Sequence, residues 1–441
     1  MKYVYFRNRN GWYKTIKKLH VTHRLTLKKL IRVTRLPAGR FALIRVIKEF
    51  KMLHIAQRRL EEINRAIEQG VSNSDTLAGG QSGLLLYYYE LYEVTESNEY
   101  KEKALALLSS VLDHFQQGEP KLIGSSFCSG AAGFTWVMQY LHKKQFIALD
   151  MATELADMDE YLFNSAMAQL DNGLLDYLHG ALGVLHYFTF RMNDEKTNWY
   201  ADTIIEKLSS KAVRDEKGLR FNSHITEGEE KETFNLGLSH GLSGILLILV
   251  NAWEYSGKKA IIAQLLEEGI RYLLHYRRDA DYSTGRYNFF PFTVHKQSGE
   301  ETGNNRLAWC YGDLGEVLLL NRAGQLLQQP NYTRLAQLIG LQTLMRKDEA
   351  STLVKDAHFC HGSSGLARFY KVLYDTTGQQ SYKTGSDYWI EQTLLYLEQE
   401  IPSGVYKNKE HDFLEGLLGI ALTLLSFTTE KKLTWSSSLL L

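Results

Sequence analysis

Proline is nearly missing from this chain, with 5 residues in 441, where average usage of about 5% gives roughly 22. Proline breaks helix interiors because it lacks a backbone N–H and clashes with the preceding turn. A chain that avoids it reads as mostly helical. Cysteine is scarce as well: only Cys128, Cys310 and Cys360 are present. Three cysteines cannot staple a protein of this size, which excludes a disulfide scaffold and fits a reducing cytoplasm. Long apolar runs are also absent. The best candidate, Ile245 to Val250, falls far short of the roughly 18 apolar residues of a membrane span. Neither sign of charge dominates, with 51 Lys/Arg against 50 Asp/Glu. Bulk charge therefore makes no polyanion binder, and nothing outside the first 50 residues points to nucleic acid. Hydrophobic residues make up 44% and charged residues 23%, which excludes extensive disorder.

What charge there is lies unevenly. Residues 1–50 hold 14 Lys/Arg and one acid, Glu49, leaving 37 bases against 49 acids in the rest. The segment has no apolar stretch followed by a small-residue cleavage site, so it is not a signal peptide. It reads as a basic extension outside the folded domain, either for an anionic surface or lying upstream of a start at Met52.

One motif then recurs seven times. Gly-x-x-Gly followed by an apolar run begins at Gly80, Gly130, Gly180, Gly241, Gly312, Gly362 and Gly416, in steps of 50, 50, 61, 71, 50 and 54. A single such motif means nothing, but seven at near-constant spacing define a repeat. The segment after each motif is apolar nearly all round, as a buried helix is. Amphipathic stretches such as Lys101–Phe115 and Lys258–Arg277 lie between. Each repeat is then an outer amphipathic helix, a loop and an inner buried helix. An open array needs polar caps at its ends, yet the first and last inner segments are as apolar as the middle ones. The expectation is an all-α fold closed on itself. It is an α/α toroid (a double-layered barrel) of seven inner and seven outer helices spanning residues 51–428, with 429–441 as a tail. The longer steps leave inserts near 213–235 and 280–306, with strand-like pieces expected to overhang one rim.

That rim collects the chemistry. Aligned on the first glycine, position −2 is Cys128, Cys310 and Cys360, and position −1 is His179, His240 and His361. Repeats 5 and 6 adjoin in a ring, so Cys310 meets Cys360 and His361. Two thiolates and an imidazole suit one Zn²⁺ per chain, with a fourth position open as in catalytic sites. His240 on repeat 4 is placed to face the open side, and Asp176 on repeat 3 is placed to reach His240. Arg306 lies on the loop entering the site. Cys128, three repeats from Cys310, reads as a packed thiol and His179 as a rim residue.

WCYGDLG at 309–315, CHGSSG at 360–365 and SHGLSG at 239–244 resemble the motifs of the lanthionine synthetase C-like family, and within it the class I lantibiotic cyclases. The likeness spans about residues 58–425. It implies the toroid, zinc on Cys310, Cys360 and His361, and an active site of His240, Asp176, Arg306 and Tyr311. The implied activity is lantibiotic cyclisation in the cytoplasm: Cys thiols of a dehydrated precursor peptide add across dehydroalanine or dehydrobutyrine, giving lanthionine or methyllanthionine. The implied partners are the precursor peptide and a membrane-bound assembly of dehydratase and ABC transporter. Two other readings compete: a zinc-dependent thiol prenyltransferase-like enzyme, and a zinc-stabilised peptide scaffold. Prenyltransferases include a carboxylate in their zinc shell and need a diphosphate pocket. A scaffold has no use for His240 and Asp176.

Overall fold

A computed structural model describes residues 5–8, 11–14, 39–192, 194–222 and 232–441. The chain divides into two units, Met1–Arg58 and Arg59–Leu441. In the first, strands β1 (Tyr5–Asn8) and β2 (Gly11–Lys14) form an antiparallel hairpin, and the helix Gly39–Gln69 begins. The rest of the basic extension lies outside the described residues.

The second unit is the α/α toroid. Its inner helices are Gln81–Thr95, Ala131–Lys143, Ala181–Arg191, Leu242–Ala252, Asp313–Leu326, Ser363–Thr377 and Leu417–Thr428. The helix ending at Gln69 starts the outer layer, followed by Asn98–Gln116, Ala156–Asp171, Glu195–Ser210, Lys259–His275, Pro330–Thr343 and Gln380–Ser403. The outer helices bury a stripe: Ala104, Leu108 and Val111 on one, Ile262, Leu265, Leu266, Ile270 and Leu273 on another. These recur every three or four residues, the period of one helix face. The inner helices are buried over most of their length, from Gln81 to Leu91 and from Leu242 to Leu249.

The glycines have a steric cause. A Cβ on the second glycine of the motif would stand 2.0 Å from Phe127 O at Gly133, 2.0 Å from Leu238 O at Gly244 and 1.9 Å from Phe359 O at Gly365. The helix start folds back tightly onto its own entry loop, and only glycine leaves room. Gly312 differs from the other motif-opening glycines: its φ of 109° lies in the left-handed region that disfavours side chains.

The entry loops also join around the ring. Ala78 N donates to Cys128 O, Phe127 N and Cys128 N to Leu178 O, and Ser239 N to Cys310 O. Trp309 N and Cys310 N donate to Cys360 O, Cys360 N to Leu414 O, and Phe413 N to Ala78 O at 2.7 Å. The last of these closes the circle between the seventh and first repeats. Among the described residues, only the junction of repeats 3 and 4 lacks such a backbone bond, and there a pair of side chains takes its place.

The inserts are partly β. Strands β3 (Ala212–Asp215) and β4 (Gly218–Phe221) form a hairpin. Residues 223–231 of that insert lie outside the described residues. Strand β5 (Thr233–Asn235) pairs antiparallel with β6 (Thr293–His295), and β6 with β7 (Glu301–Thr302). One small sheet thus draws on both inserts.

Residues 433–441 are not a free tail. Trp435, Ser436, Ser438, Leu439 and Leu440 are buried. Trp309 Nε1 donates to Leu439 O at 3.0 Å, and the Tyr177 hydroxyl donates to Ser438 O. Arg368 donates to Ser436 Oγ and Leu433 O, and Arg322 to Leu440 O. Trp435 packs edge-on against Phe359. The segment fills the bore beneath the aromatic residues at register −3, each of which directly precedes a rim residue. Burial of its apolar side chains, about 1.5–3 kcal/mol for each large one, is what the sequence order concealed.

Candidate functional site

Each rim residue is set by the turn that starts its inner helix. Asp176 is fully buried, and its Oδ1 accepts from the backbone N–H groups of Leu178 and His179 at 2.9 and 2.8 Å. That leaves Oδ2 for the neighbouring repeat, where it accepts from His240 Nδ1 at 2.7 Å. An ionised carboxylate only accepts, so Nδ1 is the donor of this bond and Nε2 is the nitrogen turned away from Asp176. This pair bridges the junction that, among the described residues, has no backbone bond.

Two junctions further round the ring, Cys310 N donates to Cys360 O at 3.3 Å, which brings the two cysteines together. The neighbouring Cys360 thiol is the main reason the Cys310 thiol is held below its ordinary pKa, with the charges of Arg306 and His240 pulling the same way. Cys360 is pushed up, first by the Cys310 thiol and then by burial.

His361 follows Cys360 directly. Its Nε2 lies 3.8 Å from Asp356 Oδ2, and burial lowers its pKa, favouring the neutral ring that metals take. Among the described residues, two groups hold all their donor atoms within 4.8 Å: Asp176–His179–His240 and Asp356–His358–His361. The two thiols and His361 are not drawn together that closely, because the imidazole faces Asp356. The donor set still fits zinc: two soft thiols on loops joined by backbone hydrogen bonds, and an imidazole on the residue after Cys360. Asp356 is the carboxylate that commonly steadies a metal-binding histidine from behind.

Arg306 is partly exposed, and among the described residues its guanidinium makes no hydrogen bond or ion pair. Its charge bears on Cys310, Cys360 and His361 alike. Tyr311 is tied to the insert sheet: Asn235 Nδ2 donates to its hydroxyl at 2.7 Å, and Phe292 packs on its ring at 5.2 Å. Its own O–H proton stays available. Beneath it, Asp313 accepts from Phe289 N, Phe290 N and Arg346 Nη1, the last at 2.7 Å, and this pins insert 280–306 to the site loop.

Sequence reasoning missed one pair. Cys128 Sγ and His179 Nδ1 are 3.3 Å apart. The signal was there: a cysteine at −2 and a histidine at −1 of the next repeat, the relation Cys310 has to His361.

The lanthionine synthetase C-like protein family matches residues 71–440. The chain belongs to that family. Nisin biosynthesis protein NisC of Lactococcus lactis subsp. lactis is 26% identical over 390 residues, covering 83% of this chain and 88% of that protein. The solved structure of a nisin cyclase shares the fold, with a TM-score of 0.67 at 21% identity over 87% of this chain and 96% of that one. The match runs through every motif of the lanthionine synthetase C-like ladder, from Gly80 to Gly416.

Proposed function

We propose that this lanthionine synthetase C-like protein is a lantibiotic cyclase that forms thioether rings in a dehydrated precursor peptide. The reaction joins a cysteine sulfur to the β-carbon of dehydroalanine or dehydrobutyrine. The thiol gives up its proton, the alkene electrons move onto the neighbouring carbonyl, and the α-carbon takes a proton, so no further reactant is needed. What carries the reading is the meeting of two prepared groups on one rim. The Cys310–Cys360 thiol pair feels the charges of Arg306 and His240, and His240 is held by Asp176 at 2.7 Å.

Cys310, Cys360 and His361 are the residues to hold one Zn²⁺, which when bound lowers the pKa of a thiol that joins it. His240 Nε2 takes the proton from the substrate thiol and returns one to the α-carbon. Asp176 keeps Nδ1 protonated and supports the charged ring. Arg306, uncommitted elsewhere among the described residues, faces the oxygen on which negative charge develops, and the Tyr311 hydroxyl supplies a second donor. The small insert sheet beside Tyr311 borders the path of a flexible peptide. Among the described residues no helix is long and apolar enough to cross a membrane. Work in the cytoplasm, beside a dehydratase and an ABC transporter at the membrane, belongs to the same reading.

The test is metal content and cyclisation in wild type, Cys310→Ala and Cys360→Ala. One zinc per chain in wild type, lost in both variants together with ring formation on dehydrated peptide, is the expected result. Zinc retained in both variants, or full ring formation without metal, sinks it. His240→Asn separates an enzyme from a scaffold, since a scaffold keeps its function.

A further inference from the structure

The junction of repeats 2 and 3 is built like the junction of repeats 5 and 6. Phe127 N and Cys128 N both donate to Leu178 O, as Trp309 N and Cys310 N both donate to Cys360 O. Cys128 stands where Cys310 stands, and His179 where His361 stands. Only Leu178 replaces the second thiol. The next junction supplies two more donors, Asp176 and His240, where repeats 6 and 7 carry His358 and Glu415 at the same registers.

These residues converge. The donor atoms of Asp176, His179 and His240 lie within 4.8 Å of one another. The two imidazole planes are nearly parallel, 8° apart, with ring centroids separated by 5.9 Å. Asp176 is fully buried and already held by two backbone N–H groups, so its position is fixed. Cys128 Sγ at 3.3 Å from His179 Nδ1 anchors the second ring from the far side. His179 is the exposed member, which leaves the group open to ions from solvent.

We propose that Asp176, His179 and His240 form a second divalent-metal site, taking Zn²⁺ more weakly than the thiol site, and that filling it inhibits the protein. Two imidazoles and one carboxylate are donors that zinc accepts, with the remaining position left to water. The mode of inhibition follows from the donors. A metal on His240 and Asp176 takes the lone pair and the hydrogen bond that proton transfer needs. No chemistry is asked of the second ion.

Binding at this site stands apart from the cyclase reading, although the inhibitory consequence rests on it. Equilibrium dialysis against Zn²⁺ counts the ions, and cyclisation of dehydrated peptide is followed over the same range of free metal. Wild type is expected to bind a second equivalent as its activity falls. His179→Asn is expected to lose the second equivalent and need at least tenfold more zinc for half-inhibition, while its activity at low zinc stays within twofold. Cys128→Ser, which leaves all three donors, is expected to shift the second binding constant in the same direction, and it carries the test if His179→Asn does not fold. Cys310→Ala is expected to lose the tight ion and keep the weak one, so failure of the thiol site and failure of this one look different. A wild type that binds a single ion, or a second equivalent undiminished in both His179→Asn and Cys128→Ser, overturns the proposal.

Discussion

His240 Nδ1 and Asp176 Oδ2 meet at 2.7 Å across the one inter-repeat junction that lacks a backbone hydrogen bond among the described residues. The side-chain pair thus closes the ring and orients a proton carrier at once. Asp176→Asn separates the two jobs. Its remaining carbonyl oxygen still accepts from Leu178 N and His179 N, so the loop keeps its turn. The amide no longer supports a charged imidazole. The expected outcome is a folded protein with unchanged zinc content and a cyclisation rate down about 10²-fold or more, the scale of a lost acid–base contribution. Rates from mass-spectrometric counting of free thiols check this. A rate within threefold of wild type removes Asp176 from the mechanism.

Gly365 tests the steric account of the repeat. A Cβ there stands 1.9 Å from Phe359 O, on the residue just before Cys360. Gly365→Ala must push the loop that carries Cys360 and His361. Overpacking of this kind costs about 1–3 kcal/mol or more, and the expected reading is a lower melting temperature together with weakened zinc retention. Gly79→Ala is the control, since nothing lies within 4 Å of its added methyl. Equal melting temperatures for the two variants defeat the explanation.

Asp313 joins chemistry and insert. It is wholly buried, accepts from the backbone of Phe289 and Phe290, and pairs with the equally buried Arg346 at 2.7 Å. Asp313→Ala strands a buried guanidinium and frees two backbone N–H groups. Breaking such a pair costs about 3–5 kcal/mol. Denaturant midpoints report that loss directly. A change below about 1 kcal/mol contradicts the pinning of segment 280–306 to the site loop.

How far the sequence led depends on which residues are asked about. The Gly-x-x-Gly ladder was legible because a clash with a backbone oxygen recurs at each helix start and leaves glycine as its trace. The meeting of Cys310 with Cys360, and of Asp176 with His240, followed from register and ring order alone. The orientation of His361 did not, because a rotamer turned toward Asp356 leaves no mark on spacing. The place of Trp435 and Leu439 in the bore was hidden for a different reason. A segment of nine residues has no repeat partner, and its contacts with Trp309 and Tyr177 reach across the whole ring. The Cys128–His179 pair is legible in register, since a cysteine at −2 is followed by a histidine at −1 of the next repeat, as Cys310 is by His361.

The barrel interior makes a pH prediction. Glu90 lies on the first inner helix, almost fully buried, and burial raises its pKa to about 7. Tyr140 donates to its Oε1 at 2.5 Å, and the same hydroxyl meets Thr434 Oγ1 at 3.0 Å, at the edge of the segment that fills the bore. The folded pKa lies above the ordinary carboxylate value of 4.5. The folded state therefore holds this proton more tightly than the unfolded chain. Its contribution to stability is complete below about pH 4.5 and is lost as pH rises toward 7, amounting to about 3 kcal/mol. Glu316, raised to about 8 by burial, acts in the same direction, so wild type alone does not isolate Glu90. Glu90→Gln does, because the amide keeps the Tyr140 bond and never ionises. The stability of the variant relative to wild type is expected to be small at pH 5, to grow toward neutrality and to level off by pH 8. Melting temperatures of both proteins at those two values decide it: an equal difference at pH 5 and pH 8 means that the fold does not raise the pKa of Glu90.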